Sequence, residues 1–118
     1  MEETQFLDKR TFERIPVELP LRFLDLTSDR KGLAQTHDIS ANGIGIHTNE
    51  KLLPRTSLEM WLQLPNSDVS INITGWVVWS DSIEPNQYKT GISLEEIKLM
   101  AFSSILRNLP PNKTYPQF

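Results

Sequence analysis

The sequence predicts a mainly β protein: a small six-stranded antiparallel β-barrel followed by one C-terminal α-helix. Three observations carry this. Six short runs rich in β-branched and apolar residues are separated by turn-forming clusters at hairpin spacing. No strand–helix–strand alternation and no internal repeat interrupts them. A single stretch of helical period, 95–109, comes only after the last of these runs. With 118 residues the chain has the size of one domain and can bury a modest core.

Taken in order, residues 1–9 mix acids with Phe6, Leu7 and Lys9 without a period and read as a flexible arm. Val17 to Leu26 alternates apolar and polar residues, the pattern of a half-buried strand, with Pro20 suggesting an edge or a bend. The polar loop Thr27 to Gly32 leads to a second strand, Leu33 to Ile39. Asn42-Gly43 is a strong turn signal, because both residues tolerate positive φ. Gly43 to Thr48 is the third strand, in which Gly45 fits a bulge or a close backbone approach. Ser57 to Leu64 is the fourth, with Leu58, Met60, Leu62 and Leu64 on one face. Val69 to Trp79 is a long fifth strand that Gly75 allows to bend, Asp81 to Gln87 reads as a loop, and Tyr88 to Leu94 is the sixth strand. The three tryptophans, Trp61, Trp76 and Trp79, lie in strand runs and are expected in the core rather than as base-stacking platforms.

The helix over 95–109 carries two apolar stripes, Ile97/Ala101/Ile105 and Leu99/Phe102/Leu106/Leu109. Together they are wider than one barrel face needs, so the helix is either deeply packed or offers a face for a homodimer or an effector. Pro110-Pro111 ends it, and 110–118 reads as a loose tail.

Composition narrows the function. The net charge of −3 and pI near 5.3 argue against general nucleic-acid binding, which needs a basic face. With no cysteine, disulfides, thiol catalysis and cysteine-based zinc sites are excluded. The N-terminus lacks the layout of a signal peptide and no apolar run has the length of a membrane span, so a cytoplasmic protein is expected. His37, Asp38 and Ser40 hold the residue types of a hydrolase triad, but strand neighbours point to opposite faces. His37 and His47 could meet across a hairpin, yet no third ligand stands out for a metal. There is no Walker-type phosphate loop. Nothing here reads as an enzyme.

Two motifs remain. Arg10-Thr11-Phe12-Glu13-Arg14 sets two guanidiniums four residues apart, where Pro16 biases Ile15 away from helix and points to a turn or loop. Asp38-Ile39-Ser40-Ala41-Asn42-Gly43 gathers a carboxylate, a hydroxyl, an amide and a glycine in six residues. By average residue usage the first pattern arises by chance in roughly one chain in three of this size, and the second in about one in twenty. In this order, and with Trp79 … Tyr88-Lys89-Thr90-Gly91-Ile92 in the closing strands, they resemble the PilZ domain, and the likeness runs along most of the chain.

The resemblance implies a bacterial receptor for the second messenger cyclic di-GMP, in a family tied to motility or biofilm regulation. It carries Arg10, Arg14, Asp38, Ser40 and Gly43 over as ligand contacts, with Lys9 and Asn42 beside them. Arginine suits both halves of such a ligand, since its fork grips phosphate and also reads guanine O6 and N7. Asp38 can accept from guanine N–H groups, and Gly43 lets the backbone come close. The family often has an arginine where this chain has Lys9, which leaves open whether one or two ligand molecules bind. No cofactor is implied. The expected domain is 10–109, acting through a partner protein after its arginine arm orders on the ligand; the alternative is a PilZ-like module that binds protein and no nucleotide.

Overall fold

The computed structural model describes residues 14–95 apart from 41 and 66. The arm, Lys9, Arg10, the helix over 95–109 beyond its first residue, and the tail therefore lie outside the described residues.

Seven strands are present: β1 (Ile15–Pro16), β2 (Pro20–Asp25), β3 (Lys31–Ser40), β4 (Gly43–Thr48), β5 (Ser57–Gln63), β6 (Ser70–Glu84) and β7 (Gln87–Leu94). All pairings are antiparallel, and the order β3-β2-β5-β6-β7-β4 closes through the β3–β4 ladder into a six-stranded barrel. Closure leaves no open sheet edge in the barrel itself. The seventh strand, β1, is extra: it adds to the far end of β3 with Ile15 opposite Ile39 and Pro16 opposite Asp38.

Period-two patterning fills the interior. Leu58, Met60 and Leu62 of β5, with Leu64 just beyond, are all buried, as their alternation predicts. Ile44 and Ile46 of β4, Val77 of β6 and Ile92 of β7 complete the inner layer. Ile15, Val17, Leu19 and Leu21 are buried in turn, so the inward alternation begins two residues before the predicted strand. That segment is fastened by buried Thr36, whose hydroxyl accepts from Leu19 N–H at 2.8 Å and donates to Val17 C=O at 2.6 Å.

Several expectations need correcting. Pro20 is at no edge; it opens β2, which has neighbours on both sides, and a first strand position tolerates the missing N–H. The loop expected over Asp81 to Gln87 is a hairpin arm: β6 runs on to Glu84, and Pro85 and a left-handed Asn86 (φ 62°) make the turn. Both faces of that arm are exposed, so no burial pattern marks it in the sequence. Trp76 and Trp79 are not core residues but 39% and 40% exposed, and Trp61 is half-buried with the Arg22 guanidinium 5.4 Å from its ring centre. Val77 takes the inward position of β6, which turns Trp76 out, and a bulge between Val77 and Trp79 turns Trp79 out as well.

Replacing Thr36 with Val keeps the shape and strands the Leu19 N–H and Val17 C=O. Urea unfolding should show a loss of about 1–3 kcal/mol.

Candidate functional site

The second motif forms the β3–β4 corner. Ser40 pairs with Gly43, and the buried Ser40 hydroxyl lies 2.8 Å from Asn42 Oδ1 and 3.2 Å from Gly43 C=O. Ser40 thus serves the corner from inside, while the exposed Asn42 stands at its tip. Neither Asn42 nor Gly43 adopts the positive φ that their pairing predicts. Gly43 instead relieves a tight approach: a Cβ there would lie 3.0 Å from Ile92 C=O, with Arg14 Nη1 in ordinary contact at 3.5 Å.

The first motif reaches this corner through β1. Ile15 is locked in the core opposite Ile39, so Arg14, the residue before it, arrives beside Asp38. Arg14 donates from Nε (3.1 Å) and Nη2 (2.7 Å) to the same oxygen, Asp38 Oδ1. The guanidinium is about half exposed and the carboxylate one-fifth exposed, so this is a partly solvated pair that can exchange partners.

Asp38 also begins a row that crosses four strands. Asp38 of β3 is opposite Gly45 of β4, Gly45 is opposite Gly91 of β7, and Gly91 is opposite Trp79 of β6. The two outer residues fold inward over the two bare ones. A Cβ at Gly45 would lie 2.5 Å from His37 Nε2 and 2.7 Å from Asp38 Oδ1, and one at Gly91 would lie 2.5 Å from the Trp79 indole. The result is a cleft of about 400 Å3, bounded by Arg14, His37, Asp38, Trp79 and Lys89, with the glycine backbone as its floor. A larger hollow of about 540 Å3 lies at the other end of β3, between the β2–β3 and β4–β5 connections, and there Arg30 is already paired with Glu50.

His37 and Asp38 share one face. A register shift between Thr36 and Asp38 makes His37 the extra residue of a bulge, so these two neighbours do not point apart as a regular strand would have them. His37 Nδ1 lies 3.2 Å from Asp38 Oδ2, and its ring is 5.2 Å from that of His47, so the two histidines do meet. Ser40 is turned into the corner, which leaves no triad. Among the described residues no group of three metal-ligating side chains converges.

Of the predicted site residues, the structure gathers Arg14, Asp38, Asn42 and Gly43 on the cleft and places Ser40 behind it. Lys9 and Arg10 lie outside the described residues. Sequence reasoning passed over Gly45, Gly91, Trp79, Lys89 and His37 as site residues. The signal for Gly45 was its place two residues beyond Gly43, on the same strand face. For Trp79 and Gly91 it was their place in the closing-strand pattern.

Burial holds the His37 imidazole below its ordinary value. The Asp38 carboxylate pulls the other way, and Lys89, His47 and Arg14 oppose a charge there. An unfolded chain takes up this proton near pH 6.5, the folded one only at lower pH. The stability that His37 contributes by remaining neutral is therefore whole above pH 6.5 and drains as the pH falls below it. Denaturation between pH 7.5 and 5 should show a shallower acid slope in His37→Leu than in the wild type. Gly45→Ala should displace both His37 and Asp38, seen as large NMR shifts at these residues, and cost about 1–3 kcal/mol.

Comparison with known proteins identifies the fold. The family model described as the PilZ domain matches residues 8–107. Among solved structures, the Bacillus subtilis inhibitor of motility (MotI/DgrA) superposes with a TM-score of 0.63 at 17% identity, over 83% of this chain and 48% of its own. The PilZ domain of CeSA from a cellulose-synthesizing bacterium superposes with a TM-score of 0.60 at 15% identity, over 80% of this chain and 92% of its own. At such identities the likeness is one of fold, and the chain spans about half the length of the motility inhibitor. Among curated protein sequences none matches significantly.

Proposed function

The chain belongs to the PilZ domain family, and on that premise we propose that it is a cyclic di-GMP receptor that acts as an adaptor toward a partner protein. The observation that carries the reading is the row Asp38–Gly45–Gly91–Trp79 with Arg14 seated above it. It assembles, on one cleft, the groups that a guanine nucleotide asks for.

Each group has a task that follows from its chemistry. The Asp38 carboxylate only accepts, so it suits the N1–H and N2–H donors of guanine. The Arg14 fork suits a phosphate or the O6/N7 edge of a base. The Trp79 indole, about two-fifths exposed beside the floor, offers a stacking face for a base. Lys89 adds a compact positive charge at the rim, suited to phosphate. Gly45 and Gly91 allow the ligand to lie close to the sheet, where any side chain would hold it off.

Ligand entry is an exchange of partners. Arg14 leaves Asp38 for a ligand anion, and Asp38 takes ligand N–H groups in return. Arg10 and Lys9 lie four and five residues before Arg14 in the sequence, near enough to join it on a bound ligand. Capture by these residues would fasten the N-terminal segment against the β3–β4 corner and change the surface offered to a partner. A cytoplasmic setting and a role in motility or biofilm control belong to the same proposal.

Calorimetric titration with cyclic di-GMP, with GTP and cyclic GMP as controls, tests it. Selective saturable heat is expected, lost by about a hundredfold or more in Arg14→Ala. In Trp79→Ala the loss should be about ten- to a hundredfold, the contribution of one stacked base. The stoichiometry answers whether one or two ligands bind beside Lys9. No heat with the dinucleotide, and no NMR shifts around Arg14, would instead leave a protein-interaction module.

A further inference from the structure

We propose that His37 is a positioning residue for Asp38: it holds Oδ2 so that Oδ1 is turned over Gly45 toward Arg14 and the cleft. This rests on the receptor reading above for its binding consequence, but its geometry stands apart from any ligand.

The contact originates in the backbone. In a regular strand His37 and Asp38 would face opposite ways, and no contact between them would form. The bulge at His37 brings both side chains to the outer face, above Gly45 of β4, which has no Cβ to obstruct them. The 3.2 Å approach of Nδ1 to Oδ2 is thus built by a register shift in β3 and a glycine in β4 acting together.

The proton on the ring is fixed by its surroundings. A carboxylate has only acceptors, so the nitrogen that faces Oδ2 carries the hydrogen. In a neutral ring Nε2 is then bare. That atom is buried, has no hydrogen-bond partner among the described residues, and is packed against the Gly45 α-carbon, so an N–H there would find no acceptor among them. The surroundings of the ring favour the same state: burial first, then Lys89 from β7, His47 from β4 and Arg14 from before β1 all disfavour a second proton, and only Asp38 supports one. His37 is left with one polar function, an Nδ1–H that stands 3.2 Å from Asp38 Oδ2.

The consequence is orientation. Arg14 makes both of its hydrogen bonds to Oδ1, and His37 occupies the side of Oδ2. With one oxygen tethered, the carboxylate keeps its plane when Arg14 departs, and Oδ1 stays aimed at the incoming guanine donors. Without the tether the carboxylate swings about χ2 and must be ordered again by the ligand.

A three-variant series separates positioning from packing. The side-chain amide nitrogen of Asn falls near the place of Nδ1, that of Gln near the place of Nε2, and Leu fills space without a donor. In titrations with cyclic di-GMP, His37→Leu and His37→Gln should each lose about tenfold in affinity, the worth of one hydrogen bond to a charged group, and His37→Asn should recover to within about threefold of wild type. Wild-type affinity in His37→Leu, or a His37→Asn as weak as His37→Leu, overturns the proposal. If the wild type itself takes up no dinucleotide, the receptor reading fails, and the ligand-free protein decides the positioning. There, 15N shifts should report a neutral ring protonated at Nδ1 at pH 7.5, and scalar couplings should report one Asp38 rotamer in wild type and His37→Asn but averaging in His37→Leu. An Nε2-protonated ring in the wild type, or a single Asp38 rotamer in all proteins, overturns it.

Discussion

Two bare α-carbons side by side, Gly45 on β4 and Gly91 on β7, are the constraint on which the outer surface of this barrel depends. Everywhere else along these strands the outward position carries a side chain or, at Gly43, a less crowded backbone. At this pair, neighbours from both sides fold across the sheet instead. His37 and Asp38 come from one side, Trp79 from the other, and each approaches closer than any Cβ would permit. Either glycine replaced by a larger residue would push the walls of the cleft outward, and the cleft would become an ordinary convex sheet face.

The walls also depend on irregularity. A closed barrel fixes register, and regular alternation would send Trp79 inward and His37 away from Asp38. The bulge in β6 and the bulge in β3 each insert one residue, and each flips the side chain that follows. The two bulges lie on the two strands that flank the glycine pair. The site is thus assembled from departures from regular alternation on an otherwise regular scaffold, whose inner layer of Ile44, Ile46, Val77 and Ile92 remains strictly alternating and fully buried. The core sits on the inside and the cleft on the outside of the same strands.

This division explains what could be read from the sequence. The inner face obeys period two, so Leu58, Met60, Leu62 and the bounds of Gly43 to Thr48 are visible in the pattern alone. The two-residue β1 is too short for any period, although Pro16 already favours extended geometry at Ile15. The β6–β7 arm has no buried face, hence no alternation to detect. The bulges are hidden for a further reason: a one-residue register shift is decided by which neighbour fills the core, and that choice is tertiary. Trp79 looks like an inward residue because an apolar residue in a strand is expected to bury, and only the insertion before it turns it to the cleft. The two motifs can be seen in the sequence without any register, and the structure brings one residue of each together, Arg14 and Asp38.

For the proposed receptor, the pairing of Arg14 with Asp38 has a bearing on selectivity. A ligand that brings only an anion satisfies Arg14 but leaves a one-fifth-exposed carboxylate without its partner. One that brings only N–H donors satisfies Asp38 and strands the guanidinium. Exchange without loss requires both kinds of group on one molecule, at the spacing that separates the carboxylate from the rim. Guanine nucleotides have them: donors at N1 and N2, acceptors at O6 and N7, and a phosphate. Adenine turns an N1 lone pair where guanine has N1–H, and sets it against a carboxylate that can only accept. In the proposed receptor the cost of that mismatch would fall on the base and not on a phosphate. Discrimination between purines would then rest on Asp38, and on Arg14 where it meets the base edge, while Lys89 would serve any nucleotide alike.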